Sequence, residues 1–264
     1  MSEDAVLLEV EDEVATVTLN RPDTRNALSA EIADGLVDAF GDAGDSDARA
    51  VVVEGAGGAF SAGGDVNAMA ERMAGEISLA EAVYQINDVL GSAMARVAEC
   101  PLPTIAKVDG PAFGAGANLA VACDVQLASA DAKISFGFRQ VGLGVDTGTS
   151  YFLPRIVGEN VAKELVFTGE LLDAEKAAEL GLFNHVYPAA EFEELAGEFV
   201  EQIATGPTIA LRNSKRLIQQ GLDSSLAEAM ADEAAAQAAV FESHDHEEGA
   251  TAFMEGRRPE FEGR

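Results

Sequence analysis

The chain has no tryptophan, two cysteines and only five lysines in 264 residues. Each scarcity closes off a class of function. Cys100 and Cys123 stand alone, with neither a disulfide framework nor metal-ligand spacing, so buried free thiols are expected. The three histidines, His185, His244 and His246, lie beside no nucleophile or metal cluster in sequence, and no metal site is expected. No apolar run reaches membrane-spanning length. The acidic start, Met1 to Glu13, lacks the basic residues and apolar stretch of a secretory signal, so a cytoplasmic protein without a membrane partner is expected. Basic residues are outnumbered, 17 Lys and Arg against 46 Asp and Glu, for a formal net charge of −29. Phosphate binding needs a basic face, which excludes nucleic acid as an expected partner. The acids are spread along the whole chain, a pattern that suits concentrated salt, where the Debye length falls to about 3 Å. A halophilic source predicts loss of structure on dialysis into dilute buffer; a partner-binding acidic surface is the other reading.

Hydrophobic residues make up 48% of the chain, enough for a sizeable core. Val6 to Leu19 alternates apolar and polar residues and breaks at Glu11-Asp12, which predicts a β-hairpin. Asn20-Arg21-Pro22-Asp23 reads as a turn. Ser29 followed by Ile32, Leu36, Val37 and Phe40 predicts a capped amphipathic helix. Strands are expected at Ala50–Glu54, Thr104–Val108, Val125–Ala128 and Lys133–Phe136. Helices are expected from Leu79 to Glu99 and, tightly packed, from Gly114 to Cys123. Strands alternating with helices argue for an α/β core. From about Glu191 strand signals stop, and helical spacing follows over Phe192–Ala204, Pro207–Gln220 and Ser225–Ser243. The expected division is a core over 1–195 and a helical module over 196–264, packed on a neighbouring subunit or folded back as a cap.

Five segments, in order, carry a resemblance. They are Asn20-Arg21-Pro22 with Asn26-Ala27-Leu28; Ala59-Phe60-Ser61-Ala62-Gly63-Gly64-Asp65-Val66; Asp109 to Ala117 with Ala122-Cys123-Asp124; Gly142 to Gly148 with Leu153-Pro154-Arg155; and Glu248 to Phe253 with Arg257 to Phe261. Together they resemble the enoyl-CoA hydratase/isomerase (crotonase) superfamily from Asn20 to the C-terminus. The resemblance implies a spiral of repeated ββα units with a C-terminal helical oligomerisation module, assembling as a homotrimer or a dimer of trimers. It implies acyl-CoA thioester chemistry with no separate cofactor. The N–H groups of Gly64 and Ala115 would hold the thioester oxygen as an enolate forms, the second at a helix start where the dipole favours negative charge. Single glycine turns such as Gly63-Gly64 have an ordinary reading as loops, and Gly114 and Gly116 as packing glycines. By the same resemblance Asp65 supports the oxyanion loop. Ala27, Ala62, Asp65 and Val66 line the CoA site, with Arg25 and Arg257 or Arg258 meeting its phosphates; each arginine also has a reading as an ordinary solvated side chain.

The reaction type turns on carboxylates. Related hydratases use two glutamates, one to activate water and one to deliver the α-proton. Here those positions hold Asn118 and Gln140, and neither amide titrates. Asp146, in Gly-Leu-Gly-Val-Asp-Thr-Gly, is the remaining acid. One carboxylate suffices to shuttle a proton between the α- and γ-carbons, and a dry pocket raises its pKa usefully. The sequence looks most like the subgroup that isomerises ring-epoxide phenylacetyl-CoA, which implies an enoyl-CoA isomerase. Asp146 as a helix cap is the bland reading. A hydratase recruiting Asp146 with Asn118 or Gln140 to position water remains open, as does a non-catalytic acyl-CoA-binding scaffold.

Overall fold

The computed structural model describes residues 4–264. The alternating start forms strands β1 (Val6–Glu11) and β2 (Val14–Leu19), paired antiparallel. Asp12 and Glu13 join them, both left-handed with φ of 47° and 63°. A two-residue loop of that hand matches the natural twist of a hairpin. Ser29 Oγ accepts from the Ile32 N–H at 3.3 Å and starts α1 (Ala30–Asp45), whose Ile32, Leu36 and Phe40 are buried. Strand β3 (Ala50–Gly55) then lies parallel to β2.

Helix α2 (Val66–Ala74) leads to α3 (Leu79–Tyr84), which runs through a π-helical turn (Gln85–Leu90) into α4 (Gly91–Ala98). The expected long helix is therefore continuous but loosened in its middle, and such π turns often sit at functional sites. Next come β4 (Thr104–Val108), β5 (Pro111–Phe113), α5 (Ala115–Ala122), β6 (Val125–Ser129) and β7 (Lys133–Ser135). Helices α6 (Thr149–Val157) and α7 (Glu159–Thr168) precede β8 (Leu172–Asp173), α8 (Ala174–Glu179) and β9 (His185–Tyr187). Two sheets result, one ordered β1-β2-β3-β4-β6-β9 and a smaller one ordered β5-β7-β8.

The chain ends in α9 (Phe192–Ala204), α10 (Thr208–Gly221), α11 (Leu226–Phe241) and α12 (His244–Glu255). Helix α9 straddles residue 195 and packs on the larger sheet. Its Phe192, Ala196, Val200 and Ala204 meet Ala50, Val52, Ile105 and Leu127, while Val51 and Val53 join the cluster that holds α1, α4 and α5 residues. A strand covered on both faces explains why Ala50–Val53 is apolar throughout rather than alternating. Ser243, expected to end a single helix, instead accepts the His246 N–H and caps α12.

The terminal helices fold back on their own core. Lys215 Nζ of α10 bonds Asp124 at 2.7 Å and the Leu102 carbonyl at 3.0 Å, and Gln219 bonds the Ala98 carbonyl. Buried Arg49 ties Glu13, Thr208 and the Phe261 carbonyl together. Asp245, 2% exposed, accepts the N–H groups of Glu262 and Gly263. Buried charges persist only when paired in this way, and each pins the tail to the domain. Among the described residues no helix is long and apolar enough to cross a membrane.

Candidate active site

Two stretches of backbone meet beside β5. Ser61 N donates to the Pro111 carbonyl at 3.1 Å, and Phe113 N donates to the Ser61 carbonyl at 2.9 Å. The next two donors in the row are also committed. Ala62 N bonds the Arg25 carbonyl, and Gly63 N bonds Ser61 Oγ, while the Gly63 carbonyl accepts from Leu28 N. Gly64 N–H is the first in that row with no protein acceptor among the described residues. The second stretch repeats the arrangement. Gly114 N bonds the Ser135 carbonyl at 2.8 Å, and the following Ala115 N–H is left without a protein acceptor at the start of α5.

The two segments approach so closely that a side chain has no room. A methyl group on Gly63, whose φ is +89°, would lie 2.5 Å from the Phe113 carbonyl oxygen and 3.6 Å from Ala115 N. One on Gly116 would lie 2.6 Å from Ser61 Cβ. Unpaired N–H groups on a rigid backbone at a helix N-terminus form a ready site for a developing negative charge.

Asn118, one turn along α5, is fully buried and reaches away from these donors. Its Nδ2 bonds the Asp146 carbonyl at 3.0 Å and Thr147 Oγ1 at 2.7 Å, and its Oδ1 faces Thr149 Oγ1 at 2.9 Å. Of the two roles expected for Asn118, supporting the site from behind or positioning substrate or water, its bonds fit the first: its amide is spent on the Asp146 loop. Three residues of helix rise place the Asn118 backbone about 4.5 Å along the axis from Ala115. Asp146 is half-buried, and its carboxylate accepts from Thr147 Oγ1 at 3.1 Å. The capping role does not occur through that carboxylate. Gly148 caps α6 without a side-chain bond, and it is the Asp146 main-chain carbonyl that takes the Thr149 N–H. Burial pushes the carboxyl pKa above the ordinary carboxylate value, and the Thr147 hydrogen bond pulls part of the way back.

Asp146, Thr147 and Gly148 form one wall of a cavity of about 760 Å³. Val83, Ile86, Met94 and Phe152 make it largely apolar, and Leu222, just beyond α10, lines it from the chain's own C-terminal module. Gly64 and Ala115 do not line it; the cavity extends toward the far end of α5 at Val121 and Ala122.

The other expected site residues divide. Arg25 is exposed in a left-handed conformation, φ 53°, with no side-chain partner among the described residues. It is held beside Ala62 by the bond to that residue's N–H. Asp65 caps α2 by accepting the Asn67 N–H at 2.8 Å, and Val66 beside it is 69% exposed. Ala27 is buried, with its N–H and carbonyl both used inside the turn, so it shapes the loop and offers no free polar group. Gln140 is exposed and drawn off to the Gly169 carbonyl at 3.1 Å; it does not line the cavity with Asp146. Arg257 is also committed elsewhere. It makes a two-pronged pair with Glu248 at 2.6 and 2.8 Å and a further bond to Glu255; the Arg257 pair, with the Glu260 N–H, holds the Glu248 pKa well below its usual value, at about 2. Its neighbour Arg258 is exposed with its guanidinium free of protein partners among the described residues.

Thr147 and Thr149 were not singled out in the sequence. Their roles depend on the left-handed turn at Thr147, φ 44°, rare for a β-branched residue and without a local sequence signal.

The enoyl-CoA hydratase/isomerase family model matches residues 9–264. A short-chain-enoyl-CoA hydratase of Clostridium acetobutylicum is 35% identical over 260 residues, covering 97% of this chain and 96% of its own. An enoyl-CoA isomerase/hydratase of Mycosarcoma maydis is 34% identical over 259 residues, covering 94% and 92%. The crystal structure of an enoyl-CoA hydratase from Mycobacterium smegmatis superposes with a TM-score of 0.90 at 33% identity, covering 98% of this chain and 99% of that one. With its paired free N–H donors and this full-length similarity, the chain belongs to the enoyl-CoA hydratase/isomerase family.

Proposed function

We propose that this family member is an enoyl-CoA isomerase, acting through an enolate held by Gly64 and Ala115 and a single acid/base, Asp146. The observation that carries the reading is the state of the carboxylate positions. Asn118 is buried and bonded, Gln140 is tied to Gly169, and of these three positions only Asp146 carries a titratable group and lines the cavity. In the proposed reaction the Asp146 carboxylate removes an α-proton from a 3-enoyl thioester. The electron pair moves onto the thioester oxygen, where the two N–H groups receive it. The protonated Asp146 then returns the proton at the γ-carbon, leaving the 2-enoyl thioester. Each N–H donor of this kind is worth about 100- to 1000-fold in rate. A ring-epoxide phenylacetyl thioester is the substrate class suggested by the Gly142–Gly148 and Leu153-Pro154-Arg155 segments, and an apolar cavity of this volume accommodates a ring. Arg25 and Arg258, both exposed, are the candidates for the CoA phosphates.

Turnover of 3-enoyl-CoA and ring-epoxide thioesters, followed by formation of the conjugated product, tests the reading directly. Asp146→Asn should abolish it; wild-type turnover in that variant would end the proposal. Because a base must be ionised, activity should fall as pH drops through the raised Asp146 pKa, so the acid limb lies above that of an ordinary carboxylate. The hydratase names of several relatives favour a second reading, water addition with Asp146 as the only titrating group. Rapid loss of crotonyl-CoA absorbance would support it. Acyl-CoA binding without turnover of any of these thioesters would instead indicate a scaffold. The assembly proposed is a homotrimer or dimer of trimers. Exposed Leu226, Met230 and Phe241 on α11 and Phe253 on α12 support it, being apolar surface a neighbouring copy would cover. A monomer mass by light scattering would remove that part.

A further inference from the structure

We infer that Asn118 and Thr147 are positioning residues that together fix the direction of a hydrogen-bond chain ending on the Asp146 carboxylate. The inference rests on the proposed role of Asp146 and goes further, naming what holds that group ready. Three bonds determine the direction. The Asp146 carbonyl, 3.0 Å from Asn118, is an acceptor only, so the side of the amide that faces it must be Nδ2. The same nitrogen then donates its second proton to Thr147 Oγ1 at 2.7 Å. With its oxygen already accepting, the Thr147 hydroxyl directs its own proton to Asp146 Oδ1, 3.1 Å away. Thr149 Oγ1 stands 2.9 Å from Asn118 Oδ1 and 3.0 Å from the Asp146 carbonyl, both acceptors for its single proton, so the amide direction rests on the two Nδ2 bonds. Thr147 is therefore a donor to the ionised form of Asp146, and Asn118 prevents it from turning round.

The backbone agrees with this reading. Thr147 is held at φ 44°, a conformation costly for a β-branched side chain, inside a site where it is 7% exposed. Strain of that kind persists only when surrounding bonds over-determine it. Here the surrounding bonds are those of Asn118 and Thr149, both essentially buried. An amide at 118 is thus not a lost glutamate but the group that the Asp146 loop requires, since a carboxylate cannot donate to the Asp146 carbonyl. The charged residues that share the cavity wall are Glu99 after α4, Asp124 after α5 and Arg155 on α6. None forms an ion pair with Asp146 among the described residues; Arg155 pairs with Asp223 and Asp124 with Lys215. The Thr147 hydroxyl is accordingly the local group that most favours the carboxylate over the carboxylic acid.

The test is the pH profile of thioester isomerisation in Thr147→Val, Thr147→Ser, Asn118→Asp and Asp146→Asn. Thr147→Val keeps the shape and deletes the donor. It should move the acid limb of kcat/KM upward by about one pH unit and so lower turnover on that limb by up to about tenfold, with KM little changed. Thr147→Ser should restore the wild-type profile. Asn118→Asp, by drawing the Thr147 proton to itself and adding a like charge, should move the limb further in the same direction. If Asn118→Asp fails to fold, the Thr147 pair decides alone. An unchanged profile in Thr147→Val, alongside an inactive Asp146→Asn, would overturn this inference while leaving the role of Asp146 intact. Full activity in Asp146→Asn would remove both.

Discussion

Replacing Gly63 with alanine should separate the oxyanion site from the rest of the fold. The new methyl would lie 2.5 Å from the Phe113 carbonyl oxygen and cannot remain closer than 3.0 Å, so the segment must retreat by at least their difference, 0.5 Å. That retreat lifts Gly64 off β5 and away from Ala115, whose nitrogen lies only 3.6 Å from the added group. The residue must also hold φ of +89°, which costs an alanine about 1–2 kcal/mol. Overpacking against backbone adds about 1–3 kcal/mol. A total of roughly 2–5 kcal/mol lowers the melting temperature of a chain this size by about 5–15 °C. Misplacing one enolate donor by a fraction of an ångström to an ångström costs kcat on the order of 100-fold, far more than the loss of folded protein at 25 °C. Thermal melts by circular dichroism, paired with thioester turnover well below the melt, measure both effects. A folded variant that melts within about 2 °C of wild type and keeps wild-type kcat would refute the placement of Gly64.

Arg25→Ala should raise KM for a CoA thioester on the order of tenfold with kcat unchanged, because its unpaired guanidinium is assigned to binding and not to the reacting atoms. An unchanged KM at low ionic strength would remove it from the CoA site. Burial raises the pKa of both thiols, Cys100 and Cys123, so little thiolate exists at neutral pH. Both should resist a disulfide reagent at pH 8 in native protein and react fully in denaturant; rapid native labelling would contradict their packing.

Much of this arrangement was legible along the chain because it is written in short-range terms. The hairpin, the Ser29 cap and the tightly packed α5 follow from periodicity, turn chemistry and small residues. The two donor segments were nominated by the family resemblance of their Gly-rich motifs, and the structure shows why glycine stands at Gly63, where a side chain would meet the Phe113 backbone. That positions 118 and 140 hold amides was equally visible, since it depends only on which residues occupy them.

Contacts between distant segments were not legible. Nothing local distinguishes Arg257 from Arg258, yet Glu248, nine residues away, takes one and leaves the other free. Helix α10 was recognisable as a helix, but whether it caps its own cavity or another subunit depends on Lys215 finding Asp124. Asn118 read as an uncharged side chain facing substrate; only its three bonds to the Asp146 loop make it part of that loop. The sequence by itself determined the family, and through that resemblance it nominated the backbone donors and one candidate acid, because these rest on which residues stand in which order. Only the tertiary structure decided that Asp146 lines the cavity and that its main-chain carbonyl, not its carboxylate, takes the Thr149 N–H. That choice is made by hydrogen bonds between residues 28 to 31 positions apart, which fold together only when α5 packs against the start of α6.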